Sequence, residues 1–196
     1  MTLTLGFREE QLHKSTLDNQ RILGMKKITD PSEFEAFRKS ILAEQDSNKD
    51  VVKVCCSTGC RAGGSLEIVD AFEQELAERG LEKKVMIKKT GCRGFCENGP
   101  VMAIDPQDIF YSRVEPKDVT DIISETLGKG KAVERLLYTD LATGGKIRRE
   151  RDIPFFGKQV RRVLANCGQI DPTSIKDYIA AGGYQSIVKA RTQSTP

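Results

Sequence analysis

"VCCSTGCRAGGSLEIVDAFEQELAERG", Val54 to Gly80, joins a loop dense in cysteine and glycine to an amphipathic helix. Just upstream, Val51 to Val54 is a short β-branched run that reads as a buried strand. Ser65 reads as the helix N-cap. Ile68, Val69, Phe72 and Leu76 fall on one face, and Gly80 lies past the end. Working outward, "KKVMIKKT" (Lys83 to Thr90) reads as a second strand, running into a second cysteine loop, "TGCRGFCENGP", Thr90 to Pro100. "PVMAI" and "DIFYSRV" read as two more strands joined by Asp105-Pro106-Gln107, a hairpin signal. Pro116 opens a helix carrying Val119, Ile122, Ile123 and Leu127, closed by Gly128.

The order is β, α, β, β, β, α. Strand–helix–strand implies a parallel pair, and the hairpin adds an antiparallel pair. The expected fold class is α/β: a thioredoxin-like two-layer sandwich with a mixed four-stranded sheet over residues 48–130. Residues 1–47 read as an extended, weakly patterned arm and one helix. That helix starts at Asp30-Pro31-Ser32 and carries Phe34, Phe37 and Ile41. Residues 131–196 begin with a charged, glycine-bearing stretch of linker character. They return to helical patterning, with Asp171-Pro172 and Gly182-Gly183 bounding a short helix. This tail has too few apolar residues for a core of its own, so it is expected to lie on something else.

Composition is that of a soluble globular protein. Of 196 residues, 38% are hydrophobic and 30% charged, and the net charge is only +3. That balance does not point to nucleic acid or a membrane surface. No apolar run approaches the ~18 residues of a membrane span, and the N-terminus lacks signal-peptide character. A cytoplasmic location follows as the expectation. Thiols stay reduced there, so six cysteines read as ligands or catalysts rather than a disulfide framework.

Cys55 and Cys60 are spaced C-x4-C, and Cys92 and Cys96 are spaced C-x3-C. Each pair sits on a glycine-rich loop just after a strand. If those strands are neighbours, four thiolates converge, as a [2Fe–2S] cluster requires. Gly59, Gly63, Gly64, Gly91, Gly94 and Gly99 would let backbone amides approach the sulfurs. The start of the helix near Leu66, with Arg61, Lys88, Lys89 and Arg93, would compensate the anionic core. Structural zinc is the competing reading, although its loops favour C-x2-C knuckles. A dithiol oxidoreductase would show C-x-x-C, which is missing. Cys56 is a possible alternative ligand, read first as a thiol pointing away. Cys167 reads as a free thiol and His13 as solvated surface.

The string "VCCSTGCRAGGS…TGCRGFCENGPVMAI…Y..VEPKDV..II" resembles the thioredoxin-like [2Fe–2S] ferredoxin family. More narrowly, it is similar to the ferredoxin domain that opens the flavoprotein (diaphorase) subunit of complex I-type, NAD-linked hydrogenases, formate dehydrogenases and bifurcating enzymes. "VERLLY" and "IPFFGKQVRRVLANCGQIDPTSIKDYIAAGGYQSIVKA" resemble that subunit's linker and opening segment, so the resemblance runs from about Val51 to Ala190. It implies a one-electron carrier ligated by Cys55, Cys60, Cys92 and Cys96, working with flavoprotein and iron–sulfur subunits of an NADH:acceptor oxidoreductase. The family's glycine-rich flavin loop and C-x2-C-x2-C motif do not follow. FMN, NAD and a [4Fe–4S] cluster are therefore expected only in a missing part or a partner, and this chain alone is not expected to be catalytic. A zinc-bound structural or partner-binding module and a stand-alone iron–sulfur sensor remain the alternatives.

Between Lys146 and Arg162 lie seven basic and two acidic residues. With no aromatic-interleaved stripe, docking on a partner or plain solvation is the expectation rather than nucleic-acid binding. Phe155 and Phe156 read as anchors into a partner or a missing domain, exposed in this chain.

Overall fold

The computed structural model describes residue 28, residues 30–45 and residues 49–193. The expected N-terminal arm, with His13, lies outside them apart from Ile28 and Asp30. Helix α1 (Pro31–Gln45) is followed by β1 (Asp50–Cys55), a short α2 (Thr58–Ala62), α3 (Ser65–Glu78), β2 (Val85–Thr90), β3 (Met102–Asp105) and β4 (Ile109–Tyr111). The sheet order is β2-β1-β3-β4. β1 and β2 are parallel, and β1–β3 and β3–β4 are antiparallel. This is the thioredoxin-like mixed sheet that the element order implies.

Strand alternation divides the sheet into two faces. Val52, Val54, Met102, Ile104, Ile109 and Tyr111 face one way. They pack on Ile68, Val69, Phe72 and Leu76 of α3 and on Val119, Ile122 and Ile123 downstream. Cys55, Ala103 and Phe110 belong to the other face. The helix after Pro116 is not a regular α-helix. It passes through a 3-10 turn (Pro116–Asp118) and one α turn, α4 (Val119–Asp121), into a π-helical stretch (Ile122–Leu127).

The wide turn brings Thr126, fully buried, to Tyr111. Val133 N–H donates to Tyr111 Oη at 2.9 Å, Tyr111 Oη donates to Thr126 Oγ1 at 2.6 Å, and Thr126 Oγ1 donates to Lys131 O at 3.0 Å. Burial raises the Tyr111 phenol above its ordinary range. Tyr111→Phe is expected to leave this chain of buried groups half satisfied and cost about 1–3 kcal/mol. A urea midpoint moved down with an unchanged slope is the signature to look for; an unmoved midpoint would discount the network.

The tail is where expectation and structure part. Residues 131–153 are not a bare linker. Leu136 and Leu137 are buried in the main core, and β5 (Tyr138–Thr139) pairs with β6 (Lys146–Ile147). Ile153 and Phe156, at the start of α5 (Pro154–Gly157), then pack on Phe110, Phe95 and Val101. The tail thus covers the second face of its own sheet. Phe156 is buried against that face rather than reaching outward, while Phe155 is 41% exposed. Farther on, Ile179 of α6 (Ile175–Ala180) and Val188 of α7 (Gln185–Gln193) meet Phe34, Phe37 and Ile41 of α1 in a separate apolar cluster. Ser174 caps α6 by accepting from Asp177 N–H at 3.2 Å. Among the described residues, no helix is long and apolar enough to cross a membrane.

Candidate metal centre

Parallel pairing fixes the site. β1 ends at Cys55 in register with Thr90, so both cysteine loops leave the same edge side by side. Cys56 N–H donates to Thr90 O at 2.9 Å, Cys55 N–H to Val101 O at 3.0 Å, and Thr90 Oγ1 to Val54 O at 3.2 Å. These bonds lock the ends of the strands. The first loop is not open coil. Cys60 is carried by α2, and α3 starts after Gly64, whose φ of +89° is a left-handed conformation suited to glycine. Gly64 takes the N-cap position expected of Ser65, which is instead the first, fully buried helical residue. Ser65 lies close enough to Cys56 to influence its thiol, so the start of α3 stands near Cys56.

Alternation sorts the adjacent cysteines. Cys55 is buried with Phe95, Phe110 and Phe156, while Cys56 packs against the opposite, helix-covered core. Burial pushes the Cys56 thiol up. Cys55 and Cys60 lie together, 1% and 2% exposed, and Cys60 donates to Cys55. That bond, aided by the amides of Ser57 and Arg93 and opposed by burial, pulls the Cys55 thiol down to about 6. The same pairing drives Cys60 far up. Cys92 and Cys96 form a second pair, Sγ to Sγ 3.7 Å, with Cys96 exposed. This pairing raises the Cys96 thiol. All six cysteines are free thiols.

Two thiolates on one tetrahedral metal, each ~2.3 Å away, stand about 3.8 Å apart. The Cys92–Cys96 separation therefore suits one iron. Among the described residues, no group of three or more His, Cys, Asp or Glu side chains is gathered closely enough to hold a metal ion. The donors come as two pairs, which suits a two-iron core taking two thiolates per iron. Amides serve the sulfurs: Gly94 N–H reaches Cys92 Sγ at 3.2 Å, and the Val101 amide serves Cys60.

The backbone lies close. A Cβ on Gly99 would meet Cys60 Sγ and Cys96 O, both at 3.1 Å, and one on Gly59 would sit 3.5 Å from Cys96 Sγ. Of the other glycines named from the sequence, Gly94 lies under Phe155, Gly63 abuts Pro100, and Gly64 turns the chain. Gly91 has open space, so no contact there demands glycine.

Sequence reasoning missed how Arg93 is held. It is 1% exposed, although it stands in a loop between two candidate ligands. It pairs with Glu150, donates to Gly168 O at 2.5 Å, and lies 6.0 Å from the centre of the Phe110 ring. Arg161 donates to Arg93 O and stands over Phe156. Nearby, Lys53 pairs with Asp105 at 2.5 Å and donates to Gln169 at 2.7 Å, and Lys88 pairs with Asp177 at 2.8 Å. The basic run is thus largely spent inside the molecule. Arg149 and Arg151 reach Asp108, and Arg148 donates to Gln107 O.

Residues 36–127 match the family described as thioredoxin-like [2Fe-2S] ferredoxin. A 2Fe-2S ferredoxin of Clostridium pasteurianum is 38% identical over 77 residues, which cover 39% of this chain and 76% of that protein. A 2Fe-2S ferredoxin of Aquifex aeolicus is 35% identical over 81 residues, 41% of this chain and 73% of that one. A solved thioredoxin-like [2Fe-2S] ferredoxin from Aquifex aeolicus covers 52% of this chain and all of its own, at 29% identity and a TM-score of 0.45. The chain belongs to the thioredoxin-like [2Fe–2S] ferredoxin family, a class of electron carriers. The tail after residue 127 lies beyond the matched region.

Proposed function

We propose that Cys55 with Cys60, and Cys92 with Cys96, hold the two irons of the cluster, and that the chain passes single electrons inside a multi-subunit NAD(H)-linked oxidoreductase. The observation that carries the ligand assignment is the register of β1 and β2, which brings two cysteine pairs, rather than four scattered thiols, to one sheet edge. When bound, a [2Fe–2S] cluster supplies reversible one-electron storage with no substrate chemistry of its own. The chain does the rest. Its thiolates hold charge, the amides of Ser57, Arg93, Val101 and Gly94 stabilise it, and Phe95 and Phe156 exclude water from the inner pair. The exposed Cys96 side is the natural exit for the electron.

The multi-subunit setting, in a reducing cytoplasm, rests on the resemblance of the tail to the opening of a flavoprotein subunit. It also rests on the tail's apolar residues: Val160, Val163 and Leu164 are 86%, 95% and 58% exposed. Such a patch is partner-like. The test is iron, sulfide and zinc content of the anaerobically purified chain, EPR after dithionite, and capture of partners from the native host. Two irons, two sulfides, an S = 1/2 signal and co-purified flavin-dependent NADH oxidation are expected. One zinc without sulfide would make this a structural module, and a loaded chain that captures no redox partner would make it a sensor.

A further inference from the structure

The sequence offers four basic residues near the cysteine loops, and the structure separates them. Arg61 and Lys89 are exposed and act on Cys56, on the wrong side of the strand. Water and salt screen such charges. Lys88 is spent on Asp177, and Lys53, on the same sheet face, on Asp105. Arg93 differs. It is 1% exposed and 6.0 Å from the centre of the Phe110 ring, which shares the second core with Cys55 and Cys60. Its Nε finds no hydrogen-bond partner, and its charge contributes to the field that lowers the Cys55 thiol. It is ion-paired with Glu150, which comes from the tail and whose side chain is 22% exposed, and Asp105 adds a weaker negative field.

A one-electron reduction makes the four-thiolate site more negative by one charge. A fixed positive charge in a low-dielectric surround then favours the reduced form, and a negative charge beside it opposes that. We propose that Arg93 is a positioning residue whose buried guanidinium raises the cluster's reduction potential, and that Glu150 of the tail partly cancels it. This rests on the ligand assignment above. The tail is then more than a cover: it places a carboxylate and the Gly168 carbonyl on this buried guanidinium. Gly168 fits the contact tightly. Its φ is +81°, and a Cβ there would stand 2.7 Å from Arg93 Cγ.

The test is an EPR-monitored redox titration of the full-length, loaded chain as wild type, Arg93→Met, Arg93→Lys and Glu150→Gln, each first checked for iron, sulfide and far-UV CD. At a fixed potential, Arg93→Met should lower the reduced-to-oxidised ratio at least threefold, and Glu150→Gln should raise it at least threefold. A tenfold change is about 59 mV for one electron. Arg93→Lys should stay within threefold of wild type. Opposite signs are the expected result, because a merely structural contact would move both variants the same way or neither. Same-sign shifts, or two shifts under threefold, overturn the proposal. If Arg93→Met fails to assemble, the sign of Glu150→Gln decides alone. If neither variant assembles while wild type does, the pair is structural and the proposal falls. A wild-type chain without a cluster would instead refute the ligand assignment beneath it.

Discussion

Cys60→Ala is expected to leave the chain folded but without its cluster, whereas Cys56→Ala keeps the full complement of iron and sulfide. The two thiols sit four residues apart, on the same loop and its short helix, with opposite surroundings. Cys60 is 2% exposed, donates to Cys55, and sits so close to Gly99 that a Cβ there would be 3.1 Å from its sulfur. On the proposed assignment, removing it would leave one iron with a single protein thiolate, and no other described cysteine shares that core to replace it. Cys56 faces Ser65 and the helix-covered core, where it is a small half-buried packing residue. Its loss should cost about 1 kcal/mol and nothing in cluster content. Iron and sulfide assays with EPR at equal protein concentration separate the two variants. Equal loss in both would mean that the first loop shifts to exchange Cys55 for Cys56, and the strand-alternation argument would fail.

That alternation shows what was legible in the sequence. The spacing of Val52, Val54, Ile68, Val69, Phe72 and Leu76 reports one face of a strand and one of a helix, and the core uses those residues. The two cysteine loops were likewise legible, because each follows a strand and β1 and β2 pair in parallel.

Less legible was whatever depends on long-range contact. Ser65 has the chemistry of a cap, but α2 occupies the loop before it and Gly64 makes the turn. The π-helical stretch has no periodic signature; it follows from Thr126 being drawn to Tyr111. The stretch after residue 130 reads as a linker because it is charged and glycine-bearing, and the tail as a whole has too few apolar residues for a core of its own. Ile153 and Phe156 suffice because the second sheet face needs only a small cover. Arg93 reads from the sequence only as one of four basic residues that would compensate the anionic core. Its burial depends on Glu150 and Gly168, 57 and 75 residues away.

Phe95→Ala is the substitution that should damage both stability and cluster lifetime. Phe95 stands between Gly94 and Cys96, and its ring is the hub of the second core. Its centroid lies 5.0 Å from Phe155, 5.1 Å from Phe156, 5.3 Å from Tyr138 and 6.3 Å from Phe110. Truncating a buried aromatic costs about 3–5 kcal/mol through lost transfer energy and the cavity left behind. The ring pairs argue for the upper part of that range. The cavity would open between the tail and Cys55, letting water and oxygen reach the inner thiolates. The expected results are a lowered melting midpoint and faster bleaching of the visible absorbance in air. Phe95→Leu should fall between, since it refills most of the volume but restores no ring contact. An unchanged bleaching rate with a lowered midpoint would mean that the tail stabilises the domain without shielding the inner pair. The electron would then meet solvent on both sides of the site, and not only at Cys96.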